Sequence, residues 1–183
     1  MTKKLLGNER RKWLIEQLQR AKEPIPGRTL GDLANVSRQV IVGDVTLLKA
    51  QGHPIIATSR GYVYVEEDEK TTHHTKTIVC QHPPEETEEE LFIFVDNGCT
   101  VKDVRIEHPV YGDLSASIMV SNRREVEQFI EKIRAADASF LLDLAHGGVH
   151  LHTVEAETKE DIIQAEKALK HAGYLVESSS FDG

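Results

Sequence analysis

The chain has 183 residues and a mass of 20.5 kDa, enough for two small domains or one large one. No stretch approaches the roughly 18 apolar residues of a membrane span, the start carries Lys3 and Lys4 but no signal-like apolar core, and two cysteines are too few for a disulfide framework; a cytoplasmic protein without membrane contact is expected. The formal net charge of −8 conceals opposite halves: residues 1–65 hold 11 Lys and Arg against 5 Asp and Glu, or +6, whereas the remainder holds 11 against 25, or −14.

A basic N-terminal module suits a partner made of phosphates, and an acidic C-terminal module has another task, such as sensing or dimerising. Glu9 to Ala21 reads as a first helix, with Trp13, Leu14, Ile15 and Leu18 on one side and Arg10, Arg11, Lys12, Glu16 and Arg20 on the other. Pro24 and Pro26 forbid its continuation, and Thr29 caps a short second helix, Leu30 to Ala34. After the Asn35-Val36 turn, Ser37 stands at an N-cap and Gly52 at a left-handed C′ position, bracketing a third helix whose apolar stripe is Ile41, Val45 and Leu48. Ile55 to Thr58 and Tyr62 to Val65, joined over Ser59-Arg60-Gly61, read as a two-stranded wing. The pattern is a winged helix-turn-helix for double-stranded DNA. Its candidate contacts are Ser37, Arg38, Gln39 and Thr46 on the recognition helix and Arg60 at the wing tip.

Domain one is assigned to 1–68 and a charged linker to 69–76, with His73 and His74 as solvated linker residues. Residues 77–183 then follow as a second domain. Its expected elements are a strand Thr77 to Gln81, a helix Glu85 to Asn97, strands Val101 to His108 and Leu114 to Val120, and a helix capped by Ser121 and running to about Ala136. Strands Phe140 to Leu144 and Val149 to Ala156, a helix opened by Thr158, and a last strand Tyr174 to Glu177 complete it, before a frayed tail. The early β-α-β-β-α-β order indicates an α+β fold, a ferredoxin-like sandwich.

Histidines carry the chemistry of this half. His150 and His152 are two apart on a strand, so they share a face and could grip one metal ion. The alternative is a pair on a solvated sheet face. His82 follows a strand and Glu90 sits in the next helix, so an imidazole and a carboxylate could join them, a set suited to a divalent transition metal such as zinc or nickel. Glu90 has a competing role as the last residue of a capping box, Thr87-Glu88-Glu89-Glu90. His108, Tyr111 and Arg105 are pocket candidates for a small ligand, with Arg105 as the cation for a carboxylate.

Four runs taken together resemble the niacin-responsive transcriptional repressors of bacteria, built from a winged helix and a 3H domain. They are Val36 to Val42, Ile55 to Tyr64, Glu107 to Gly112 and Gly147 to Thr153. The resemblance covers nearly the whole chain. It implies a homodimeric repressor of genes for NAD synthesis and niacin salvage, with nicotinic acid as co-repressor and a divalent metal held by His82, Glu90, His150 and His152. The chain departs from that family at Gly43, where a long polar side chain is usual. A repressor answering to metal alone, or a metal-dependent hydrolase with a fused DNA-binding domain, are the other readings. Against the enzyme, the sequence has no phosphate-cradling glycine loop and no nucleophile elbow, so no catalytic residue is assigned.

Overall fold

The computed structural model describes residues 6–65 and 72–177, in two compact units that divide between residues 70 and 71. The linker at 69–71 and the frayed tail at 178–183 lie outside the described residues.

The first unit runs α1 (Gly7–Arg20), α2 (Gly27–Ala34), α3 (Arg38–Ala50), β1 (Ile55–Thr58) and β2 (Gly61–Tyr64). Leu14 and Leu18 of α1, Leu30 and Ala34 of α2, Ile41, Val45 and Leu48 of α3, and Ile55 and Tyr62 of the wing form one core. Ser37 Oγ accepts from the Val40 N–H at 3.3 Å and so caps α3. Helix α2 starts two residues before Thr29, with Pro26 at its N-cap, because proline fixes an extended entry and lacks an N–H to lose. A β-carbon on Gly31 would meet the Val36 carbonyl oxygen at 2.8 Å, so glycine is what lets the turn between α2 and α3 close tightly. Arg10 is not on a solvated face: it is buried, and its Nε donates to Asp44 of α3, which also receives Arg11 Nη1 at 3.1 Å.

The second unit runs β3 (His74–Gln81), α4 (Thr87–Asp96), β4 (Thr100–His108), β5 (Gly112–Val120), α5 (Arg123–Ala135), β6 (Val149–Ala156) and α6 (Lys159–Ala172). His74 therefore belongs to a strand, paired with Ala156, and not to a linker. The α+β class is observed: four antiparallel strands in the order β3-β6-β4-β5 share one core with all three helices. In a ferredoxin-like sheet the first and third strands are central; here the second and fourth, β4 and β6, occupy the centre. That order puts β6, with its histidines, between two neighbours.

Three local expectations change. Phe140 to Leu144 is no strand but a 3-10 turn at Leu141–Leu144, because both edges of β6 are already taken by β3 and β4, and its apolar side chains close over the core instead. Asn122 replaces Ser121 as the cap of α5, its Oδ1 accepting from the Glu125 N–H at 3.0 Å. Tyr174 to Glu177 reduces to a single bridge of Leu175 with Cys80.

Candidate metal centre and nucleic-acid interface

On the first unit, Ser37, Arg38, Gln39 and Thr46 are all exposed along α3, with Ile41, Val45 and Leu48 turned to the core on the far side. The Thr46 hydroxyl donates to the Val42 carbonyl at 2.8 Å, so its methyl and its remaining lone pair are what it offers outward. Arg60 at the wing is half-buried and pairs with Glu23 at 2.6 Å. Gly43 has nothing within 4 Å of where a β-carbon would sit, so this surface is open there.

In the second unit β6 sends alternate residues inward, and His150 and His152 are 1% and 2% exposed, with Val154 and Ala156 continuing the same face. Glu90 of α4 is fully buried, points at them, and is no capping residue: α4 has Glu86 at its N-cap and no side-chain cap bond. His82, just past β3, completes the group. The three Nε2 atoms lie 2.8 Å (His82), 3.1 Å (His150) and 3.2 Å (His152) from the Glu90 carboxylate oxygens.

The opposite nitrogens decide what this group can do. His82 Nδ1 contacts the Pro83 carbonyl oxygen at 2.9 Å, His150 Nδ1 that of Gly148 at 2.9 Å and His152 Nδ1 that of Asp103 at 2.7 Å. Carbonyl oxygens only accept, so each Nδ1 carries a proton; a ring with no second proton then presents a bare Nε2 to a carboxylate that is itself an acceptor, and a ring with one donates from Nε2 to Glu90. Such a set is short of positive charge unless a proton or a cation enters it. His82 Nε2 makes no hydrogen bond despite its 2.8 Å approach, an unpartnered buried nitrogen. The donors, three imidazoles and one carboxylate with backbone carbonyls behind the rings, fit a first-row divalent ion.

Backbone irregularities build this arrangement. Registers of β4 with β5 and β6 slip between Val101 and Arg105, and the bulge frees Asp103: its carbonyl accepts from His152 Nδ1–H while its carboxylate accepts from the Thr153 N–H at 2.8 Å. Gly148 has φ +74°, and a β-carbon there would sit 2.5 Å from the His82 carbonyl oxygen, so only glycine brings the two histidine-bearing segments together.

Burial opposes charge on Glu90, His82 and His152, pushing the first up and the other two down. Mutual attraction and hydrogen bonding outweigh it: Glu90 is held well below the usual carboxylate range, and both imidazoles lie above their ordinary value.

A cavity of about 340 Å³ opens beside the cluster. Glu90, His150, His152 and Thr87 form its polar end, and Val104, Ile118, Phe129, Phe140 and Leu142 are among its apolar walls. The Thr87 hydroxyl is buried without a partner. The pocket residues expected from the sequence are elsewhere. Arg105 pairs in register with Leu151, which alternates with the two histidines, so it lies on the opposite face of the sheet, bonded to Thr77 and Thr153. His108 and Tyr111 stack at the β4–β5 hairpin, where His108 Nδ1 accepts from the N–H groups of Val110 and Tyr111, and Tyr111 is 75% exposed.

Sequence reasoning missed Cys80. It is fully buried, directly across from His150 in the β3–β6 pairing, and its Sγ, a Glu90 oxygen and a His150 nitrogen lie within 4.8 Å of one another. Burial and the Glu90 charge push its thiol far up. The two-residue spacing from Cys80 to His82 was the available signal.

The two units define a helix-turn-helix protein with a 3H domain: residues 10–63 match an HTH domain and residues 75–178 a 3H domain. The chain is 52% identical over 174 residues to the transcription repressor NadR of Bacillus subtilis (strain 168), covering 94% of this chain and 96% of that protein. It is 41% identical over 177 residues to the probable transcription repressor NiaR of Thermotoga maritima, covering 97% and 99%. An uncharacterized protein of Methanothermus fervidus is 26% identical over 106 residues, which is 17% of its length. The chain belongs to the NiaR/NadR family of transcription repressors.

Proposed function

We propose that this chain is a DNA-binding repressor of genes for NAD synthesis and niacin uptake, with nicotinic acid as co-repressor beside a divalent metal, zinc or nickel. The observation that carries the reading is the convergence of three imidazole Nε2 atoms on one buried carboxylate, at the polar end of a cavity of a size suited to a small ligand. His82, Glu90, His150 and His152 would hold the ion. Bound there, it would supply a Lewis-acidic position for the pyridine nitrogen or the carboxylate of nicotinate. Thr87 would donate its free hydroxyl to the ligand, and the Phe129 and Phe140 walls would cover the ring.

Repression follows if the ligand prefers one geometry of a homodimer, that in which two recognition helices enter successive major grooves about 34 Å apart. Ser37, Arg38, Gln39 and Thr46 would meet the bases and their flanking phosphates. Arg60 would exchange Glu23 for a phosphate.

The test is fluorescence anisotropy of labelled promoter DNA from the organism's own niacin genes, with metal-loaded protein. Nicotinic acid is expected to tighten binding at least tenfold and nicotinamide much less. Binding that follows metal occupancy and ignores both pyridines would replace this reading with a metal-responsive repressor.

A further inference from the structure

We infer that Cys80 is a further protein donor to the ion at the histidine cluster, through its thiolate sulfur. The inference rests on the metal reading proposed above and concerns a residue that reading does not use.

Three observations meet. Cys80 and His150 face each other across the β3–β6 pairing, so their side chains leave the sheet on the same side, next to one another. The sulfur, a Glu90 oxygen and the His150 nitrogen all lie within 4.8 Å, a spread that one ion at ordinary zinc–ligand lengths can bridge. Independently of the cysteine, the Nε2 of His82, a residue 5% exposed, lies 2.8 Å from the same Glu90 carboxylate without a hydrogen-bond partner, a buried nitrogen that an ion would satisfy.

Charge supports the assignment. A divalent ion held by three neutral imidazoles and Glu90 alone would keep one net positive charge inside a domain whose cavity walls are apolar. A thiolate makes the set neutral. On coordination the thiol proton leaves to solvent and the sulfur lone pair forms the bond; no electrons are transferred. The soft sulfur also tilts preference toward zinc over magnesium or manganese. The bland role for the same residue is a thiol that only donates a hydrogen bond to Glu90.

Cobalt(II) titration of the full chain distinguishes them. The wild-type protein is expected to show both the weak visible d–d bands of bound cobalt and an intense near-ultraviolet thiolate-to-cobalt band. Cys80→Ser should keep the d–d bands, lose the near-ultraviolet band and release one proton fewer per ion. Cys99→Ser, whose thiol is buried away from the cluster, should leave the spectrum unchanged. Wild-type d–d bands without the charge-transfer band overturn the inference while leaving the metal site standing, and that outcome is read from the wild type alone, whether or not the variants fold. Absence of any cobalt band in the wild type overturns the metal site and the inference together.

Discussion

Among the described residues each unit buries a charged cluster, and the two differ in whether donors and acceptors balance. In the N-terminal unit Arg10 and Arg11 bring N–H donors to the Asp44 carboxylate, and every group meets its complement. In the C-terminal unit the Nδ1–H groups of three imidazoles are already spent on backbone carbonyls, so their Nε2 atoms meet Glu90 acceptor to acceptor unless a second proton or a cation enters. A balanced buried cluster fastens helices together; an unbalanced one is a place for something else to bind. Burial alone would not separate them, since Asp44 is 4% and Glu90 0% exposed.

The largest effect should come from breaking the balanced cluster. Asp44→Ala removes the carboxylate that Arg10 and Arg11 share and is expected to cost about 3–5 kcal/mol, read from chemical denaturation of the chain, with DNA binding lost alongside. In the unbalanced cluster the corresponding change should act in opposite senses. Glu90→Gln should weaken zinc binding about 10- to 100-fold or more by calorimetry, yet raise the melting temperature of the metal-free chain at alkaline pH, where the buried carboxylate is least compensated.

The same contrast sets a pH dependence. Without metal, the raised values of His82 and His152 contribute stability that is complete below the ordinary imidazole value of 6.5 and is lost as pH rises through their folded values. The lowered value of Glu90 contributes above 4.5 and is lost as pH falls through its folded value. At the lower pH His82 and His152 carry a second proton, on Nε2, that a metal must displace, so the gain in melting temperature on adding zinc should grow from about pH 6 to about pH 8.5. A gain that shrinks over that range would contradict ligation through the Nε2 atoms that face Glu90.

Smaller effects belong to the exposed face of α3. Arg38→Ala should cost about 1–3 kcal/mol of operator affinity by anisotropy while leaving thermal stability unchanged, since the residue is exposed. Gly43→Ala should stabilise the first unit by about 0.5–1 kcal/mol, because the position is helical and open.

Where a residue's neighbours come from its own element, the sequence was legible. The α3 stripe and its Ser37 cap follow from a period of 3.6 and one hydroxyl, and the shared face of His150 and His152 from a period of two. Elements that depend on their partners were not. Phe140 to Leu144 has the composition of a strand, but both sides of β6, the strand it leads into, are taken by β3 and β4. Glu90 sits in a local capping pattern, and only the packing of α4 over β6 turns it inward. For Cys80 the two-residue spacing to His82 was only a hint, and its place beside His150 needed the register of β3 against β6; Arg10 needed the approach of α1 to α3. For Arg105 the inward neighbours Val104 and Ile106 already indicate the outer face, so its place was legible from the alternation of β4 and its charge was the misleading signal.

The histidine cluster is unbalanced, on this account, because it receives a cation. Calorimetric titration of zinc into chelator-stripped protein, followed by nicotinic acid into the loaded sample, tests this most directly. One ion per chain, proton release on binding, and a nicotinate heat that disappears in His152→Ala are the predicted results. No zinc heat, with the cluster titrating only as imidazolium and carboxylate, would contradict the account and leave a protonated cluster that serves the fold.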